Sequence, residues 1–176
     1  MKFKILSFLT LTLMLVAAGQ RPVRVFMAGD STMADKVYYK NVTDSLTGDL
    51  TPEEFLERGW GQLLPELFTD DVVVRNFARN GRSTKTFLSE GWWTKIMNEV
   101  QPGDYVVIQF GHNDGAVEKK ERYTTPDEYR RNLIRFVDEV RAKKATPILC
   151  TPVMRRKFDK EGKLVDTHGV YPGIVK

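Results

Sequence analysis

The chain has 176 residues, 41% hydrophobic and 28% charged, with a formal net charge of +4. That length suits one domain, and the composition is that of a soluble globular protein able to bury a core. A single cysteine, Cys150, excludes any disulfide within the chain, and its apolar setting (Pro147, Ile148, Leu149) suits a small buried hydrophobe.

Lys2 and Lys4 precede an uncharged run from Ile5 to Ala18 that closes in Ala17-Ala18-Gly19. A basic start, an apolar stretch too short to span a bilayer and a small-residue exit describe a secretory signal peptide over 1–19. The domain then runs over 20–176, in a secreted or periplasmic location, without stable membrane insertion once the leader is removed. Losing the leader takes away two lysines and no acid, so the positive charge halves. Arg155, Arg156 and Lys157 form only a short cluster, which reads as a solvated loop rather than a nucleic-acid surface. Asn41-Val42-Thr43 fits a glycosylation sequon.

Four nearly continuous apolar runs rich in β-branched residues read as strands buried on both faces: Val23–Ala28, Val72–Asn76, Tyr105–Phe110 and Thr146–Thr151. Thr51-Pro52-Glu53-Glu54 has the form of a capping box and predicts a short helix ending near Gly59. A second short helix is expected over Gly61–Phe68, and a helix interrupted near Gly91 over Ser83–Asn98. Thr125-Pro126-Asp127-Glu128 repeats the capping signature. There, Tyr129, Leu133, Phe136, Val137 and Val140 recur on one face, which predicts a helix over 126–144. Strands alternating with helices predict a parallel sheet with helices on both faces.

Ligands of such sheets bind beyond the carboxyl ends of the strands. Ser31 of Gly29-Asp30-Ser31 follows the first strand, Asn80-Gly81 the second, and Asn113 of Gly111-His112-Asn113-Asp114 the third. Each fragment alone is a turn or cap, but together they occupy one rim. A serine nucleophile needs a base and donors for the oxyanion formed on attack. If Ser31 opens a helix, its own N–H points into the site. The Gly81 N–H and the Asn113 side-chain amide can supply two more donors.

These blocks resemble those of the SGNH or GDSL hydrolases. Residues 25–34, Gly59-Trp60-Gly61-Gln62, 76–84, 104–114 and Thr151-Pro152-Val153 with Arg155, Arg156 and Phe158 are similar to the rhamnogalacturonan acetylesterase branch. The resemblance implies a three-layer flavodoxin-like α/β fold and cofactor-free, metal-free hydrolysis of acetyl esters on pectin-type polysaccharide. It casts Ser31 as nucleophile and oxyanion donor, with Gly81 and Asn113 completing the oxyanion hole, and does not make His112 catalytic.

The family's acid and base come from an Asp-x-x-His near the C-terminus, and none is present here. Asp166-Thr167-His168 has one intervening residue and follows the fourth strand directly, so its spacing disfavours His168 as the base. The expectation is a fragment lacking the last strand and helix, with poor catalysis and Ile148–Thr151 left as an exposed apolar edge. Two other functions fit parts of the pattern. One is another SGNH lipase, esterase or thioesterase; the other is a non-catalytic carbohydrate binder using Trp60, Trp92 or Trp93.

Overall fold

The computed structural model describes residues 21–54 and 56–176. The expected leader over 1–19 lies outside them. The main sheet has four parallel strands: β1 (Val23–Gly29), β4 (Val72–Asn76), β5 (Tyr105–Gln109) and β6 (Thr146–Cys150), in the order β4-β1-β5-β6. Between β1 and β4 lies a separate antiparallel hairpin, β2 (Tyr39–Thr43) with β3 (Leu50–Glu54). The helices are α1 (Trp60–Leu63), continued by a 3-10 turn over Leu64–Leu67, α2 (Thr84–Ser89), α3 (Trp92–Glu99), α4 (Pro126–Ala142) and α5 (Tyr171–Val175).

Alternate side chains of each strand point to opposite faces, and β1 shows both at work. Phe26 and Ala28 join Val106, Ile108 and Phe110 of the β5 region under α2, α3 and α4, where Trp93, Ile96, Leu133, Phe136 and Val140 close the core. Val25 and Met27 face the other way, with Val107, Met33, Ala34, Trp60 and Leu64. The expected layers are therefore present but unequal: one face carries the longer helices, the other, among the described residues, only α1 and its 3-10 extension. β6 pairs with β5 alone among the described residues, and Ile148 is 41% exposed, so the apolar edge is real.

The four predicted strands appear within a residue or two of their expected ends. Helix α4 starts with the predicted reciprocal cap, in which Thr125 accepts from the Glu128 N–H and Glu128 accepts from the Thr125 N–H. Gly91 breaks the 83–98 helix in two by adopting a left-handed conformation at φ 78°. The Thr51–Glu54 helix is a correction: those residues form β3. Asp44 closes the preceding turn, its side chain accepting from Leu46 N–H and its backbone N–H donating to Asp49 C=O. Once that turn is closed, Lys40 falls opposite Glu53 and Asn41 opposite Pro52. Gly59 likewise precedes α1 rather than ending a helix.

Because β1 lies between β4 and β5, the chain reverses its winding direction at β1. Such a switch point opens a crevice at the carboxyl ends of the strands. The loop after β1 begins there.

Candidate active site

Ser31 sits in a single tight turn, not at the head of a helix as the sequence allowed. The Asp30 carbonyl accepts from Met33 N–H (3.2 Å) and Ala34 N–H (3.0 Å). Its carboxylate Oδ1 accepts from both the N–H (2.9 Å) and the hydroxyl (2.8 Å) of Thr32. Asp30, Met33 and Ala34 are buried beneath the turn, while Ser31 is half-buried. The Gly59-Trp60-Gly61 segment straps the turn from outside, with Trp60 N–H donating to the Thr32 carbonyl at 2.9 Å. Glycine is required for that approach, since a Cβ on residue 59 would lie 2.1 Å from the Ala34 carbonyl oxygen.

Ser31 lines a cleft of about 670 Å³ together with Thr32, Glu57, Arg58, Trp60, Leu63, Gln109 and Val153. The cleft is open and mixed in character, polar at Ser31, Glu57 and Arg58 and apolar at Trp60, Leu63 and Val153. The three tryptophans divide. Trp60 lines this cleft, and Trp93 is a core residue at 1% exposure. Trp92 is half-buried against the core, with the Arg79 guanidinium 4.1 Å and the Lys95 ammonium 3.9 Å from its ring centre.

The loop after β4 runs along the end of β1: Phe77 N–H donates to Met27 C=O and Arg79 N–H to Gly29 C=O. Lys36, from the loop that follows the Ser31 turn, bonds Asn80 Oδ1 at 2.9 Å and pairs with Glu57 at 2.9 Å. Gly81 then takes a left-handed backbone at φ 75°, a conformation open to glycine without strain. It borders a recess of about 450 Å³ with Asn80, Arg82, Glu90, Glu121 and Arg122.

Asn113 joins the loops after β4 and β5. Its Nδ2 donates to the Arg82 carbonyl at 2.9 Å, and its Oδ1 accepts from Arg122 Nη1 at 3.0 Å. The same Nη1 reaches the Gly81 carbonyl at 3.2 Å. Next to it, buried Asp114 accepts at Oδ1 from the N–H (3.0 Å) and hydroxyl (2.5 Å) of Thr84 and the hydroxyl of Thr124 (3.0 Å). Burial pushes the Asp114 carboxyl up to about 6 against those three hydrogen bonds, with the charge of Asp30 adding to the rise. Thus Ser31, Gly81 and Asn113 all stand at the carboxyl end of the sheet, with Gly81 and Asn113 coupled directly through Arg122. Arg122, Gln109 and Asp114 had no role assigned from the sequence.

His112 and His168 form an edge-to-face pair, ring centres 4.5 Å apart, with His112 Nε2 at 2.7 Å from the Val153 carbonyl. Asp166 does not orient His168 as a triad acid would. Its Oδ1 accepts instead from the backbone N–H groups of His168 (2.9 Å) and Gly169 (3.2 Å), closing its own turn. The His168 Nε2 is buried without a hydrogen-bond partner. Burial, and then the neighbouring His112 and Arg155, draw its pKa below the ordinary histidine value. Among the described residues, no three His, Cys, Asp or Glu side chains converge as metal ligands, and no helix is long and apolar enough to cross a membrane.

Residues 28–173 match the GDSL-like Lipase/Acylhydrolase family. The chain is 38% identical over 157 residues to rhamnogalacturonan acetylesterase RhgT of Bacillus subtilis, covering 89% of this chain and 60% of the relative. It is 37% identical over 136 residues to the probable rhamnogalacturonan acetylesterase YesY of the same organism, covering 77% and 56% respectively. The chain thus spans somewhat over half the length of these relatives. Among solved structures, that of B. subtilis YxiM superposes with a TM-score of 0.68 at 26% identity, over 88% of this chain and 40% of YxiM. The parallel sheet with its Ser31 turn, and the match that spans all three motif blocks from Ala28 to Gly173, agree with the resemblance seen in the motifs: the chain belongs to the GDSL-like lipase/acylhydrolase family.

Proposed function

We propose that this chain carries the nucleophile and oxyanion side of a secreted serine esterase that removes acetyl groups from a pectin-type polysaccharide. The carrying observation is Ser31 in an open, mixed polar and aromatic cleft at the strand ends that also hold Gly81 and Asn113. The names of RhgT and YesY point to the acetylated sugar. An open cleft with Arg58, Glu57 and Trp60 on its walls suits a carbohydrate chain better than a long acyl tail, which needs an enclosed apolar channel.

In this reading Ser31 Oγ attacks the acetyl carbonyl carbon and its proton passes to a base. The carbonyl oxygen becomes the oxyanion, met by the N–H groups of Ser31 and Gly81 and by Asn113 Nδ2. Collapse breaks the bond to the sugar oxygen, which takes that proton from the base and departs as the hydroxyl, leaving acetyl-Ser31. Water then attacks the acyl group and releases acetate. The family's Asp-x-x-His is not among the 176 residues, and Asp166 is spent on backbone N–H groups rather than on the His168 ring. The 176-residue chain accordingly turns over acetyl esters poorly, by oxyanion stabilisation and binding alone.

The test compares wild type with Ser31→Ala on p-nitrophenyl acetate, butyrate and octanoate, and on acetylated rhamnogalacturonan. Slow, Ser31-dependent acetate release favouring the shortest acyl group supports the proposal. Preference for octanoate moves the reading to a lipase. Pectin affinity unaffected by Ser31→Ala, with no acetate released by either form, moves it to a binding remnant. Full Ser31-dependent turnover promotes His168 to the base. Export is tested separately: the chain recovered outside the cytoplasm should begin after Gly19.

A further inference from the structure

We infer that Arg122 is the positioning residue that sets the oxyanion hole, an inference resting on the reading of Gly81 and Asn113 as its donors. Arg122 belongs to neither motif, yet one nitrogen of its guanidinium touches both. Nη1 donates to the Asn113 Oδ1 at 3.0 Å and to the Gly81 carbonyl at 3.2 Å.

The consequence for Asn113 follows from chemistry. A guanidinium has only donors, so the atom of the Asn113 amide that faces it must be the oxygen. The NH2 group is thereby turned the other way. There one hydrogen is taken by the Arg82 carbonyl at 2.9 Å, and the second remains for an oxyanion. Without Arg122 the Arg82 carbonyl alone holds this orientation, and a flipped amide would present an acceptor to a developing negative charge. At Gly81 the same nitrogen would lie 3.1 Å from an added Cβ, and its hydrogen bond to the carbonyl fixes the peptide that leaves the left-handed residue.

Arg122 is itself well anchored. Its backbone N–H donates to Lys119 C=O, the following turn closes through Thr124 N–H to Asp114 C=O, and Glu121 Oε1 lies 3.4 Å from its Nε. Its side chain is 23% exposed. The 116–124 loop therefore acts as a brace that reaches from the end of β5 back to the loop after β4.

The experiment uses the ¹⁵N-labelled 176-residue chain in four forms: wild type, Arg122→Gln, Arg122→Lys and Asn113→Asp, the last to assign the Asn113 side-chain signals. In wild type the two Asn113 amide protons should be well separated in shift, one bonded and one free. In Arg122→Gln that separation should collapse toward that of exposed asparagines in the same spectrum, while backbone signals of β1 and β5 stay in place. Arg122→Lys, which keeps a donor-only cation, should retain most of the separation. Asn113 signals unmoved in Arg122→Gln would overturn the inference even if activity fell. Alongside, the Ser31-dependent hydrolysis of p-nitrophenyl acetate should lose about tenfold or more in kcat, with KM changed less than twofold. A purely structural role would lower both the folded fraction and the β-strand signals instead. If Ser31→Ala and Asn113→Ala leave hydrolysis unchanged, the esterase reading fails while the amide signals still decide the role of Arg122.

Discussion

The indole N–H of Trp60 donates to Gln109 Oε1 at 2.7 Å, so the aromatic wall of the Ser31 cleft is fastened to the last residue of β5. Gln109 is 6% exposed, and its Nε2 donates in turn to the Thr151 carbonyl at 2.9 Å, just past β6. One amide thus ties α1, β5 and the end of β6 together at the Ser31 cleft. Replacing it by leucine leaves an indole N–H and a carbonyl without partners, at a cost of about 1–3 kcal/mol. We expect Gln109→Leu to lower the unfolding free energy measured in urea by that amount, and the midpoint with it. Gln109→Glu keeps the acceptor for Trp60 but loses the donor to Thr151, and should fall between leucine and wild type. Equal midpoints for Gln109→Leu and wild type would show that the fastening contributes nothing.

At the opposite end of the sheet Asp104 is fully buried before β5. It accepts from Arg24 at 2.6 Å, Arg21 at 2.5 Å and the Gln101 N–H at 2.8 Å. Burial alone would raise its carboxyl, but the Arg24 and Arg21 guanidiniums and the Gln101 N–H outweigh it and hold the pKa below the usual range. The contribution is present above the unfolded-state pKa near 4 and is lost as pH falls below it. Asp104→Ala removes the partner of two cations, one of them largely buried, and should destabilise by about 3 kcal/mol at pH 7. Far from the cleft, it should leave the KM of any residual hydrolysis unchanged.

Thr125-Pro126-Asp127-Glu128 and Thr51-Pro52-Glu53-Glu54 carry the same capping signature. Only the first is followed by apolar residues on one helical face, Tyr129, Leu133, Phe136 and Val140, all buried. Every residue of β3 is exposed, so no core contact chooses its conformation, and the Asp44 turn with its cross-strand pairing decides instead. The strands were legible because burial on both faces leaves an unbroken apolar run. The shared placement of Ser31, Gly81 and Asn113 at one end of the sheet was legible because each lies in the loop that follows a strand. Arg122 and Gln109 were not, because their partners include backbone carbonyls, Gly81 and Thr151, some forty residues away, which no side-chain pattern encodes.

Gly81 offers a controlled test of the brace described above. Its left-handed φ of 75° disfavours any L side chain, by about 1–2 kcal/mol. Gly48, on the hairpin, has a similar φ of 78° but nothing within 4 Å of an added Cβ. Gly48→Ala therefore meets backbone strain alone, whereas Gly81→Ala also presses on Arg122 Nη1 at 3.1 Å. We expect Gly81→Ala to be the more destabilising in urea unfolding and the only one of the two to reduce Ser31-dependent hydrolysis. Equal effects of the two substitutions would show that Arg122 yields freely.

The stability of the chain should pass through opposing slopes between pH 4 and 6.5, set by two groups at the rim of the site. Asp114 is fully buried, and burial raises its carboxyl to about 6, while in the unfolded chain it titrates near 4. Between those values the folded chain holds a proton that the unfolded chain has released. Stability therefore falls as pH rises through the window, by about 3 kcal/mol, and is flat above it. His168 works in the other direction. Burial, His112 and Arg155 depress its pKa, so the unfolded chain takes up the proton first and stability rises as pH climbs toward 6.5. Urea midpoints measured at half-unit steps separate the two. Asp114→Asn retains an acceptor for Thr84 and Thr124 and should remove the falling component, leaving stability that only rises toward neutrality. His168→Gln should do the reverse and steepen the fall. A slope unchanged by Asp114→Asn would mean that this carboxyl ionises as readily inside the protein as in water, and that the three hydrogen bonds to its Oδ1 fully offset the burial.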